Sequence, residues 1–165
     1  MKTLKNYFIR ITKPITQKDW FADLLFAFIR IICGLLLAID FGAGKFGMPW
    51  TDESQNLGLF EVAAWFPEYV ANYGGIFAWF PVFFAWMGAC SEAVGGIFLA
   101  LGLQTRIASF LIMCTMLVAI FLQKWGQSTW GMLPAMGFLW IAIYNLYFGS
   151  GRFGIDYLIS KKIKA

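Results

Sequence analysis

Four long apolar runs, residues 24–41, 80–103, 107–122 and 132–148, constrain this chain more than any other feature. Each is close to the ~20 residues an α-helix needs to cross the hydrocarbon of a bilayer. Lipid offers no partner for backbone N–H and C=O groups, so such runs fold as helices that bond internally. The predicted fold class is therefore all-α, an integral membrane four-helix bundle. Only 13% of the residues are charged, against about 25% in soluble domains. The first run is too long for a signal peptide, contains Arg30 and lacks a small-x-small cleavage site, so it is expected to be a retained span.

Basic residues give the orientation. Four spans place both termini on one side, with the turn around Thr105. That side carries Lys2, Lys5, Arg10, Lys13, Lys18, Arg106, Arg152, Lys161, Lys162 and Lys164, and the other only Lys45 and Lys124. The bias predicts cytoplasmic termini. It also accounts for the net charge of +4 through anionic lipid, with no nucleic acid partner.

The connections are expected to differ in kind. Within a cytoplasmic amphipathic segment at 1–22, Leu4, Tyr7, Phe8 and Ile11 recur at helical spacing up to Pro14, which suits a helix lying on the leaflet. The outer connection 42–78 is long and acidic, with Asp52, Glu53, Glu61 and Glu68. Leu57, Phe60, Ala63 and Ala64 suggest a short half-buried helix there, broken at Pro67. Residues 102–106 form a tight turn that makes the second and third spans antiparallel neighbours, and 149–165 form a cytoplasmic tail. The whole chain, 1–165, reads as a single membrane domain.

Glu92 is the most demanding polar residue. A lone charge at mid-bilayer costs roughly 2.5–3.5 kcal/mol on insertion scales, so it needs a partner or a proton. Ala85, Gly88, Ala89, Glu92, Gly96 and Leu99 share one helical face, and small residues on it point Glu92 into the bundle. Arg30 shares a face with Gly34, Leu37, Ala38 and Phe41. At 1.5 Å per residue, Arg30 lies roughly 10 Å and Glu92 roughly 16 Å from the terminal side. An Arg30–Glu92 pair is the resulting expectation. It serves either as structural glue or as a ligand or proton site, and the structural role is favoured.

Other polar groups are secondary candidates. Asp40 is expected to snorkel or to pair with Lys45 or Lys124. Tyr144 and Asn145 are placed to hydrogen-bond across the bundle, near an aromatic face of Gly137, Trp140, Tyr144 and Phe148. Cys33, Cys90 and Cys114 fall on three spans without a Cys-x-x-Cys pair, so no dithiol relay is expected. The chain has no histidine, which argues against a bis-His haem. No catalytic or metal-ligating set emerges, and no cofactor is evident.

Several short motifs fall in a fixed order. Arg30…Gly34 and Gly42-x-x-Lys45 lie at the first span, and Glu92-x-x-Gly95-Gly96 in the second. Gly102-x-x-Thr105-Arg106 follows, and Gly151-Arg152-Phe153-Gly154-Ile155-Asp156 closes the series. Over residues 24–158 this order resembles the DoxX family, with Phe41 standing where relatives often carry His. The resemblance implies a four-helix protein of a bacterial or archaeal cytoplasmic (inner) membrane. It also implies a link to redox complexes, one branch being connected with thiosulfate:quinone oxidoreductase. The expected function is a non-haem accessory subunit that holds a quinone or other lipophile near Arg30, Glu92 and Tyr144, with partner subunits supplying the redox centre. The alternatives are a non-catalytic scaffold or assembly factor and a small proton-coupled transporter. A cavity reaching Glu92 would favour ligand binding, and a dry core would favour the scaffold.

Overall fold

The computed structural model describes residues 12–164, and the interfacial helix expected over 2–13 lies outside them except for its last two residues. Helix α1 spans Trp20–Leu36 and continues as a widened turn, Leu37–Gly42, in which the Ala43 N–H donates five residues back to Ala38 O at 3.1 Å. Two short helices, α2 (Trp65–Ala71) and α3 (Gly75–Trp79), lie in the long connection. Then come α4 (Pro81–Leu101), α5 (Thr105–Val118), α6 (Thr129–Phe148) and α7 (Ile155–Lys164). A second widened turn, Ala119–Gln123, extends α5, with the Lys124 N–H donating to Ala119 O at 2.8 Å. With these extensions four helices among the described residues are long and apolar enough to cross a membrane: Trp20–Gly42, Pro81–Leu101, Thr105–Gln123 and Thr129–Phe148.

Local signals set their ends. The Asp19 carboxylate accepts from the Phe21 N–H and caps α1, satisfying a first-turn donor that has no intrahelical acceptor. Pro81 opens α4, where its missing N–H costs nothing. Gly102, at φ +66, closes α4 in the left-handed conformation that suits glycine.

Helix α4 is the hub, packing against α1, α2 and α5, while α5 packs on α6. Gly34, Ala38 and Gly42 of α1 meet Ala93, Gly96 and Ala100 of α4 at backbone distance. A Cβ on Gly34 would lie 2.6 Å from Gly96 O, and one on Gly42 would lie 2.6 Å from Ala93 Cα. Small residues at such a seam let dispersion and close backbone approach drive association where lipid supplies no hydrophobic force. A core of Leu37, Leu99, Ile112, Met116, Ile120 and Ala142 fills the space between the four long helices. Helices α1 and α6 touch chiefly through rings, Phe26 on Phe148 at 5.3 Å and Phe41 on Phe138 at 5.2 Å.

The long connection differs from its sequence expectation. No helix covers Leu57–Ala64 or stops at Pro67; instead Pro67 sits in the first turn of α2. The physical reason is that first-turn N–H groups lack intrahelical acceptors, so proline starts a helix as readily as it ends one. Residues 46–62 fold back on themselves through an isolated antiparallel bridge between Phe46 and Val62. Flanking bonds run from Gly47 N to Glu61 O at 2.8 Å and from Ala63 N to Lys45 O at 3.0 Å. The tail is not merely an extension either, because α7 buries Asp156 and Ser160.

Candidate functional site

The expected Arg30–Glu92 pair does not form; each residue has other partners, toward opposite ends of the bundle. Arg30 is buried, and its Nη1 donates to Leu99 O and to Ala100 O, the latter at 2.9 Å, while Nη2 donates to Phe153 O at 2.9 Å. Leu99 and Ala100 lie in the last turn of α4, whose carbonyls lack the usual donor four residues on, Leu99 O having only the capping Gly102 N–H at 3.1 Å, and carry the negative end of the helix dipole. A forked guanidinium satisfies several of them at once. Beside it, Asp156 accepts from Gln104 N at 2.8 Å and from Thr105 N and Oγ1, both at 2.9 Å. Asp156 thereby caps α5 from another part of the chain. Asp23 pairs with Arg152 at 2.8 Å. The motif residues Gly102, Thr105 and Asp156 thus belong, with Arg30, to a clasp that joins the α4–α5 turn to the tail. Gly151 approaches Asp23 nearby, where an added Cβ would lie 3.4 Å from Oδ1.

Glu92 meets Lys45 instead, Nζ to Oε2 at 2.5 Å. The sequence places Lys45 in a polar loop, but the fold turns it inward. Its own N–H donates to Gly42 O, its carbonyl accepts from Ala63, and the neighbouring Phe46 is fully buried. The lysine stem then reaches down to α4, with its ammonium 5.4 Å from the centre of the Phe66 ring. The side chains are unequally covered, at 19% exposure for Lys45 and 7% for Glu92. Gly42 is what lets this approach occur, because its contact with Ala93 leaves no room for a side chain.

Beside the pair lies a cavity of about 190 Å³. Its floor includes Glu92, Ser91 and Gly88 of α4, and its roof is Phe66, Val70, Tyr73 and Phe77 from α2, α3 and the link between them. Leu111, Cys114, Thr115 and Val118 of α5 form the far wall, completed by Ala119 and Gln123 from the widened turn. Ser91 and Thr115 bond to each other at 2.6 Å across the α4–α5 seam. Met87 and Cys114 both line the cavity and are exposed on the outer surface of α4 and α5. The cavity therefore has a side mouth between those two spans. Burial pushes the Tyr73 hydroxyl up to about 12, aided by Tyr69 and the Glu92 carboxylate, so it remains a donor at neutral pH. Chemically this is an apolar chamber with a cancelling charge pair and a phenol at its polar end.

The other candidates do not join it. Tyr144 is over half exposed and faces, with Asp40, a groove between α1 and α6; Arg30, Glu92 and Tyr144 are not brought together. Asp40 bonds neither Lys45 nor Lys124 among the described residues. Asn145 donates to Ile141 O on its own helix at 2.9 Å, instead of crossing the bundle, and shares with Arg30 and Asp23 a cleft of about 10 Å³, near the volume of one water. Arg106 donates to Tyr147 O at 3.1 Å, tying α5 to α6. Gly95 and Gly96 are buried helix-packing positions. The cysteines are free, and no group of three or more His, Cys, Asp or Glu among the described residues is placed to hold a metal.

Sequence reasoning missed Lys45 as the partner, and two signals pointed to it. Lys45 lies three residues after Gly42, which continues the small-residue spacing of Gly34 and Ala38 along the first span, and it is one of only two cations expected on its side of the membrane. The two widened turns also mark the place, one leading into Gly42–Lys45 and the other ending at Gln123, in keeping with the frequency of such turns at functional sites.

Among family models, the one described as DoxX matches residues 25–125, more than half of the chain. That stretch holds α1 from Leu25 onward, α2 through α5, the Lys45–Glu92 pair and the whole cavity lining. No curated protein matches the chain, and no solved structure does.

Proposed function

This chain belongs to the DoxX family, and on that premise we propose that it is a non-haem subunit of a membrane redox complex that binds a quinone or similar neutral lipophile beside Lys45 and Glu92. The observation that carries the reading is the cavity with a side mouth. A ligand drawn from the bilayer enters between spans, whereas a water-soluble one needs a path from the surface. Neutrality follows from the paired charges, because a charged head group would add an uncompensated charge in a low-dielectric chamber. Lys45 and Tyr73 offer donors to carbonyl oxygens, and Glu92 offers an acceptor to hydroxyls. The basic bias of the terminal end supports cytoplasmic termini in a bacterial or archaeal inner membrane, which puts the mouth in the outer leaflet.

The test is direct. The protein, extracted in its native lipid with a membrane-excising polymer, is analysed by mass spectrometry for isoprenoid quinone. A Gly88→Leu variant serves as control, since a Cβ there meets nothing closer than 3.8 Å and the larger side chain enters the cavity. Quinone enriched over bulk lipid in the wild type and lost in Gly88→Leu is the expected result. Equal content in both, or none above bulk, overturns the proposal.

A further inference from the structure

A second feature of the membrane-facing surface has no role in the cavity. Helices α1 and α6 are the least buried of the four spans, with 28% and 11% of their apolar windows covered against 44% for α4. Between them runs an open groove of about 620 Å³, from Asp40 and Pro134 at one end to Tyr144 at the other. Along α6 that is ten residues, roughly 15 Å or three helical turns. Three properties distinguish it from an ordinary lipid-facing surface. Gly137 lines it with nothing within 4 Å of where a Cβ would be. The Asp40 carboxylate sits at its rim with no hydrogen bond or ion pair to any described residue. The Tyr144 hydroxyl near the other end likewise has no protein partner among the described residues.

We propose that this groove is the docking site for a single transmembrane helix of a partner subunit that carries a Lys or Arg opposite Asp40. The proposal rests on the accessory-subunit reading and says where such a subunit binds. Three observations select the occupant. A glycine facing open space lets a helix backbone come within packing distance, which is how membrane helices gain contact energy. The anionic rim disfavours a lipid phosphate and favours a cation held there by charge complementarity. Asp40 lies two residues from the end of its helical run at Gly42, so the matching cation belongs near the flank of the partner's span, where Lys and Arg are tolerated. A hydrogen-bonding side chain ten or eleven residues further along the partner would meet Tyr144.

The experiment uses the full chain in its native membrane, with p-benzoylphenylalanine in place of Trp140 in the groove and, separately, of Phe110 on the outer face of α5. After irradiation the cross-linked peptide is sequenced by mass spectrometry. The expected product from position 140 is an apolar segment of another protein with Lys or Arg at one flank, and Asp40→Lys lowers its yield by about tenfold or more. Cross-links to lipid only, to a second copy of this chain, or to a helix whose capture ignores Asp40→Lys each overturn the proposal. A protein captured at position 110 but not at 140 overturns the groove while leaving an accessory role standing.

Discussion

Breaking the Lys45–Glu92 pair from either side should not cost the same. Lys45→Met leaves a carboxylate that is 7% exposed with no cation beside it. Removing one partner of a buried ion pair costs about 3–5 kcal/mol, mostly from the charge left behind. Glu92→Gln leaves the ammonium, but Lys45 is 19% exposed and lies 5.4 Å from the Phe66 ring centre. Partial solvation and a cation–π contact worth about 0.5–2 kcal/mol soften that loss, so about 1–2 kcal/mol is expected. The double variant removes both charges and should return to within about 1 kcal/mol of wild type, since a buried pair is often no more stable than its neutral replacement. The single costs together come to about 4–7 kcal/mol, so the coupling between the sites amounts to about 3–8 kcal/mol of non-additivity. Unfolding titrations in mixed SDS micelles, followed by tryptophan fluorescence, read all four proteins. Equal costs for the two single variants together with an additive double variant would show that the pair is not energetically linked, and the reasoning would be wrong.

Further outcomes follow from other contacts. Asp156→Ala removes the acceptor of three hydrogen bonds and should destabilise by about 2–5 kcal/mol, whereas Thr105→Val, which loses one, should cost about 1–2 kcal/mol; hydrogen exchange at residues 102–106 should rise far more in the first. Gly34→Ala forces a Cβ against Gly96 O and should cost about 1–3 kcal/mol through overpacking, while Gly137→Ala, in open space, should leave the unfolding midpoint unchanged. Tyr73 should titrate near pH 12, identified as the absorbance change near 295 nm that Tyr73→Phe removes. The unfolded phenol ionises near pH 10, so its contribution to stability is intact below that pH and falls as pH rises from about 10 to 12. Glu92→Gln should lower the Tyr73 midpoint by withdrawing the carboxylate's repulsion.

The spans were legible because lipid imposes one rule on every backbone group, and an apolar run of sufficient length has a single outcome. The packing face of α4 was legible for a similar reason, since Gly88, Ala89 and Gly96 repeat at helical spacing. The pairing of Arg30 and Glu92 was not, because depth along an axis says nothing of where a long side chain bends. Arg30 turns to the carbonyls of α4, which exist as acceptors only because α4 stops at Gly102. Lys45 enters the membrane only because residues 46–62 close back on it, and that closure is a tertiary event with no periodic signature. Asp156 illustrates the same limit, since a cap supplied from a distant residue leaves no local capping motif at Thr105.

That remote cap also imposes an order on synthesis. The hairpin of α4 and α5 enters the membrane while its connecting turn still exposes the N–H groups of Gln104 and Thr105 and the α4 carbonyls have only part of Arg30's attention. The acceptors at Asp156 and Phe153 become available only after α6 has crossed and the chain has returned to the same side. Helix α7 therefore works as a latch that closes only after the fourth span has crossed, and a nascent chain stopped short of it holds all four spans in a bundle that is inserted yet not locked.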